Sequence, residues 1–262
     1  MEPTAGPQML ARLVASLAAM FAVAGASKAD DIRVFSGGAP QETLEALAPA
    51  FEKQTGHRMR FTFAHVSVIQ KRLAAGEPTD VVLLPVQLLA STEKSVALRP
   101  EGRSVLARIG IGVVIREGGK HPDISSVDAV RRMLLDARAI AVPRPEGITG
   151  SHLMRMMERL GVADEVRSKL RHQAAVERGA EQVARGEADV GLYLASEVQS
   201  VKGTTLAGLL PAELQNYVVY GVAVPVNNVR PEAALAFIRF ISDATNKGHW
   251  KATGFELVAP GK

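Results

Sequence analysis

From Asp31 onward, runs of strand length alternate with longer stretches whose apolar residues recur at helical spacing, and few folds accept such an order. "DIRVFS" (31–36) reads as a strand, "PQETLEALAPAFEKQTG" (40–56) as an amphipathic helix and "RMRFTFA" (58–64) as an alternating strand. "SVIQKRLAAGEP" (67–78) then reads as a helix and "TDVVLLP" (79–85) as a buried strand. A β-α-β-α-β order predicts an α/β lobe built on a parallel sheet.

The pattern restarts after "LARIGIGVVIREGG" (106–119), a continuous apolar strand suited to crossing between two lobes. Helices are expected over "SSVDAVRRMLLD" (125–136), "TGSHLMRMMERLG" (149–161) and "VERGAEQVARGEAD" (176–189), and strands over "RAIAVP" (138–143) and "VGLYLA" (190–195). "YVVYGVAVPV" (217–226) reads as a return strand, and "RPEAALAFIRFISD" (230–243) as a helix packing back on the first lobe. The expected division is a discontinuous first lobe, 30–112 with 223–262, and a second lobe, 113–222. Two lobes joined by two crossings place a ligand cleft between them.

Before Asp30 the chain carries one basic residue, Arg12, then an apolar run from Leu13 to Ala24 and small residues. This predicts a secretory signal peptide over 1–29, too short to span a bilayer, and hence a periplasmic protein of about 233 residues. Loss of Arg12, Lys28 and Glu2 takes the net charge from +4 to +3, an excess that favours anionic ligands. No basic stripe is interleaved with aromatics, so nucleic acid is not expected as a partner, nor is stable membrane insertion. The chain has no cysteine, which excludes thiol catalysis and cysteine-ligated metal. It has no Gly-x-Ser-x-Gly elbow of a serine hydrolase. Met154, Met156 and Met157 fit core packing, and His57, His121, His172 and His249 have no partner pattern.

One local signal points to chemistry. In "VFSGGAPQE" a strand ends at Ser36 and runs through Gly37, Gly38 and Ala39 into Pro40 and a helix. Backbone N–H groups at such a helix start, reinforced by the helix dipole, make an anion site over Gly37 to Gln41.

The order of segments from Asp31 to Gly254 resembles the periplasmic molybdate-binding proteins, a type II solute-binding family of two α/β lobes. The supporting stretches are "VFSGGAPQETLEALAPAFEKQTG", "FAHVSVIQKRLAAGEPTDVVLL", "GITGSHLMRMMERLG", "VARGEADVGLYLASE" and "PEAALAFIRFISDATNKGHWKATGF". The resemblance implies a family serine where Ala39 stands, a Ser-Ser-Gly-like segment where "AHVSV" stands, and a family tyrosine at Leu194, one place from Tyr193. Successive strand side chains face opposite ways, so Tyr193 does not automatically inherit that contact. An oxyanion losing those hydroxyls leaves unmet polar groups, at roughly 1–3 kcal/mol each.

The chain is similar to the aconitate isomerase branch of the same scaffold, which implies interconversion of trans- and cis-aconitate without metal or cofactor. Under that resemblance the proton carrier is His65, with His152 second. The carboxylate holders are Ser36, Gly37, Gly38, Ala39, Ser67, Thr149, Gly150, Ser151 and Tyr193, with Arg116 or Arg144 as charge partners. The competing expectation is a non-catalytic binding protein that delivers a small polycarboxylate, or an oxyanion such as molybdate, to an ABC permease.

Overall fold

The computed structural model describes residues 30–173, 180–199 and 201–258. The expected signal peptide, and the part of the expected helix before Ala180, lie outside the described residues.

Strand β1 (Asp31–Ser36) leads into helix α1 (Gln41–Thr55), β2 (Arg58–Phe63), α2 (Val66–Ala74), β3 (Val81–Pro85) and α3 (Val86–Thr92). Strands β4 (Ser104–Ile109) and β5 (Ile111–Arg116) follow, parted only by Gly110. Next come α4 (Val127–Asp136), β6 (Ile140–Val142), α5 (Ile148–Arg159), α6 (Ala163–Val166) and β7 (Leu170–His172). The chain continues through α7 (Glu181–Ala184), β8 (Val190–Leu194), α8 (Ala195–Gln199) and β9 (Thr204–Leu209). It ends with β10 (Val218–Ala223), α9 (Pro231–Ser242), α10 (Lys247–Ala252) and β11 (Phe255–Leu257).

These strands form two sheets, ordered β11-β4-β10-β3-β1-β2 and β7-β6-β8-β5-β9. In the first, β1 runs parallel to β2 and β3, while β10 returns antiparallel between β3 and β4. In the second, β6 is parallel to β7 and β8, and β5 is antiparallel to β8 and β9. The apolar run over 106–119 is thus one strand of each sheet joined at Gly110, and the return passes between Leu209 and Val218. The boundaries expected at 112/113 and 222/223 fall inside β5 and β10, because an unbroken apolar run carries no mark of where its hydrogen-bonding partner changes.

One side chain joins the two crossings. Gln215 Oε1 accepts from the Ile111 N–H at 2.7 Å, and its Nε2 donates to the Ile111 carbonyl at 3.0 Å and to the Leu210 carbonyl at 3.3 Å. Helix α9 packs back on the first sheet as expected, with the Phe237 ring edge-on to Phe51 of α1 at 5.2 Å between centroids. Trp250 is fully buried and its indole N–H donates to the Ile241 carbonyl at 2.9 Å, tying α10 to α9.

Candidate functional site

Strand register locates the cleft. In the first sheet Pro85, the last residue of β3, stands opposite Tyr220, which stands opposite Ala107, while Ile109 at the crossing stands opposite Val218. The carboxyl ends of β1 and β3 therefore lie toward the crossing. In the second sheet Ile111 pairs with Leu194, so the carboxyl end of β8, and of its parallel neighbour β6, also lies toward the crossing. Ligands of parallel sheets bind outside the carboxyl ends of the strands, and here both sets converge on one junction.

On the first-sheet side, Ser36 is buried and its hydroxyl donates to the Gly37 carbonyl at 2.9 Å. The Gly37 N–H donates to the Leu83 carbonyl at 3.1 Å. Both donors are thus already paired in this arrangement, unlike the free donors expected. The N–H groups of Gly38 and Ala39 make no hydrogen bond among the described residues, and they stand just before the N-cap of α1. Pro40 is the N-cap of that helix and not its first helical residue. A Cβ on Gly38 would have nothing within 4 Å, whereas one on Gly37 would lie 3.2 Å from Val66 Cγ1 and 3.6 Å from the Tyr220 hydroxyl.

The β2–α2 turn stands beside this one, since the Ala64 N–H donates to the Ser36 carbonyl at 3.2 Å. His65 is exposed and caps α2. Its Nδ1 lies 2.9 Å from the Ser67 hydroxyl and 3.4 Å from the Ser67 nitrogen. His65 and Ser67 thus spend these atoms on each other.

On the second-sheet side, α5 opens at Ile148 behind Gly147, and its first backbone bond runs from the Ser151 N–H to the Gly147 carbonyl at 2.9 Å. The N–H groups of Ile148, Thr149 and Gly150 are the unpaired donors of this first turn. Gly150 is dictated by crowding. A Cβ there would fall inside the Arg144 carbonyl oxygen and lie 2.6 Å from its carbon.

Several expected roles are corrected here. The Ser151 hydroxyl turns back to the Ile148 carbonyl at 3.1 Å. His152 Nε2 is held by the Leu214 carbonyl at 2.9 Å, which makes it a tie to the return crossing. Tyr193 is fully buried in a cluster with Val114, Ala141 and Val183 and presents nothing to the cleft. Arg116 ends β5 at the far end from Ile111 and lies over Gly186, away from the junction. Arg144 stays near the α5 start, its Nε donating to the Gln173 carbonyl at 3.1 Å.

Two titratable residues that the sequence did not single out stand at the junction. Glu197 lies in α8, directly after the carboxyl end of β8. Burial pushes its carboxyl up to about 7, an effect partly offset by the Leu194 N–H. It retains intermediate exposure, so its carboxyl is hemmed in by protein without being sealed off. Tyr220 is buried behind Gly37, and its hydroxyl is pushed well above the usual range, first by burial and then by the negative charge of Glu197. The signal that could have found Glu197 is an acid two residues into a helix that follows a wholly apolar strand. Among the described residues no three His, Cys, Asp or Glu side chains cluster to hold a metal ion.

Two α/β lobes between whose sheets the chain crosses twice, with helix starts and a partly exposed acid at their junction, define a two-lobed binding protein of the periplasmic type. Residues 32–256 match the bacterial extracellular solute-binding protein family, and the chain belongs to it. It is 32% identical over 217 residues to an aconitate isomerase from a Pseudomonas species, covering 80% of this chain and 82% of that one. It is 26% identical over 252 residues to the molybdate-binding protein of Escherichia coli K12, covering 94% and 97%. The periplasmic molybdate-binding protein of Azotobacter vinelandii has the same fold, with a TM-score of 0.69 at 18% identity, covering 87% of this chain and 100% of that one.

Proposed function

We propose that this protein is a periplasmic isomerase that holds a tricarboxylate in the cleft and interconverts trans- and cis-aconitate by moving a proton. The observation that carries this reading is the 32% identity to an aconitate isomerase, sustained over about four-fifths of both chains. The site chemistry supports it. Ala39 and Leu194 stand where the resemblance to molybdate-binding proteins implies a serine and a tyrosine, and the Ser36 and Ser151 hydroxyls are turned to backbone carbonyls. What the junction offers is backbone N–H groups at two helix starts, suited to carboxylates, and an acid that titrates near neutrality.

The test is incubation of the purified protein with trans-aconitate, followed by chromatographic detection of cis-aconitate. Conversion that scales with protein concentration is expected, and its absence at millimolar substrate defeats the reading. A second reading, a non-catalytic binding protein for a small polycarboxylate or molybdate that serves an ABC permease, is supported by the match over 97% of the Escherichia coli molybdate-binding protein. It predicts a rise in melting temperature with molybdate and none of the conversion.

A further inference from the structure

The junction holds an acid and a hydroxyl that the expected site did not include. Helix α8 is anchored at the crossing, where the Ala195 N–H donates to the Gly110 carbonyl at 3.1 Å. On its other flank a Cβ on Gly254 would lie 2.7 Å from Ala195 Cβ and 3.5 Å from the Ser196 nitrogen, so the start of β11 presses against the start of α8. The next residue, Phe255, meets Tyr220 edge-on with ring centroids 5.8 Å apart. These contacts bring α8, which carries Glu197, close to β10, which carries Tyr220, and a Cβ on Gly37 would lie 3.6 Å from the tyrosine hydroxyl. Ser196, beside Glu197, is buried, and its hydroxyl has no hydrogen-bond partner among the described residues, which marks the same spot as one a polar ligand atom or water completes.

We propose that the Glu197 carboxylate is the base that carries the proton, and that the Tyr220 hydroxyl donates a hydrogen bond to the substrate carboxylate on which charge builds. This assignment rests on the isomerase reading. Glu197 takes a proton from the methylene carbon of aconitate, and the electron pair of the broken C–H bond enters an allyl anion shared with the two terminal carboxylates. The proton then returns to the former vinyl carbon. A new C–H bond forms there, and the double bond now joins the central carbon to the former methylene carbon. Substrate and product have the same atoms, and Glu197 ends ionised as it began. Tyr220 stays protonated throughout, as a hydroxyl in a buried site beside a carboxylate must. His65 is assigned no proton, because it is exposed and its Nδ1 caps α2.

The experiment compares wild type, Glu197→Gln, Tyr220→Phe and His65→Ala. It measures turnover of trans-aconitate, exchange of the substrate methylene proton in D2O by NMR, and ligand-induced melting shifts. Glu197→Gln should lower turnover and exchange by about 10²–10⁴-fold, and Tyr220→Phe by about 10²–10³-fold, with melting shifts close to wild type. His65→Ala should keep most of its activity. Retention of more than about a tenth of turnover in folded Glu197→Gln overturns the assignment, as does a loss confined to His65→Ala. If Glu197→Gln fails to fold, Glu197→Asp, which withdraws the carboxyl by one methylene, must show the same loss of turnover or the proposal falls. An inactive wild-type protein defeats the functional reading itself and the assignment with it, whereas an active one with unaffected variants defeats the assignment alone.

Discussion

Replacing Glu197 with Gln should flatten the decline of thermal stability between pH 5 and pH 8. Burial lifts this carboxyl from 4.5 to about 7 in the folded chain. Below the lower value it is protonated whether the chain is folded or not. Between the two values the unfolded chain releases a proton that the folded chain keeps, so the unfolded state binds fewer protons and stability falls as pH rises. Above the higher value the loss is complete. One pKa unit corresponds to about 1.4 kcal/mol, so the loss is at most about 3–4 kcal/mol, less whatever solvent screening the partly exposed side chain receives. At about 2–4 °C per kcal/mol for a chain of this size, that amounts to a drop in Tm of at most about 6–16 °C. Other shifted groups act elsewhere. The Arg138 guanidinium holds the Asp189 carboxyl below its usual range, so that contribution is lost only in acid, and Tyr220 titrates above the window. Melting curves of wild type and variant at half-unit pH intervals isolate Glu197 as their difference. If the two proteins lose stability in parallel, the carboxyl is not desolvated as the structure places it.

Gly150→Ala should destabilise the protein by about 1–3 kcal/mol or more and abolish ligand-induced melting shifts, because the Arg144 carbonyl must move and takes the α5 start with it. A folded variant with normal stability would mean that this loop yields freely. Gly38→Val should fold normally, since the space around it is open, and should lose the melting shift caused by tricarboxylates, since that space faces the free N–H groups. An unchanged shift would make the turn a mere connector. Gln215→Ala leaves the Ile111 N–H and carbonyl without their side-chain partner and should cost about 1–3 kcal/mol in urea denaturation.

Strands β3, β6, β8 and β10 were legible because each is a nearly continuous apolar run between turn residues, as strands buried on both faces must be, and β1 because its apolar residues alternate with exposed Asp31 and Arg33. Strand β9 escaped because Thr204–Leu209 is only half-buried at the edge of its sheet and carries no clean alternation. Strands β7 and β11 are three residues each, too short to display a period. The two helix-start loops were readable from Gly and Pro, whose backbone limits act locally. Tyr193 was misplaced by strand parity, since it packs behind the sheet while Leu194 belongs to the larger core on the opposite face. Glu197 left only a weak sequence signal, its place just after an apolar strand, and Tyr220 left none, because their character is tertiary: the acid is raised by what surrounds it, and the tyrosine hydroxyl lies beside Gly37, where a side chain would crowd it.

Glu197 lies in α8 behind the second sheet's β8 and Tyr220 in the first sheet's β10, so their mutual geometry is set by the crossings and not by either lobe alone. Gln215 bonds the Ile111 backbone on both its polar groups, and His152 grips the Leu214 carbonyl on the same return segment. A binding protein needs such a junction only to bend as the lobes close on a ligand. An acid and a hydrogen-bond donor placed on opposite sides of that bend ask more of it, because proton transfer demands atoms within hydrogen-bond reach. The side chains that stitch the crossings are therefore positioned to govern turnover without touching the ligand. On this scaffold the step from holding an anion to moving its proton requires only that the carboxyl after β8 and the hydroxyl of β10 meet across a junction stiff enough to align them.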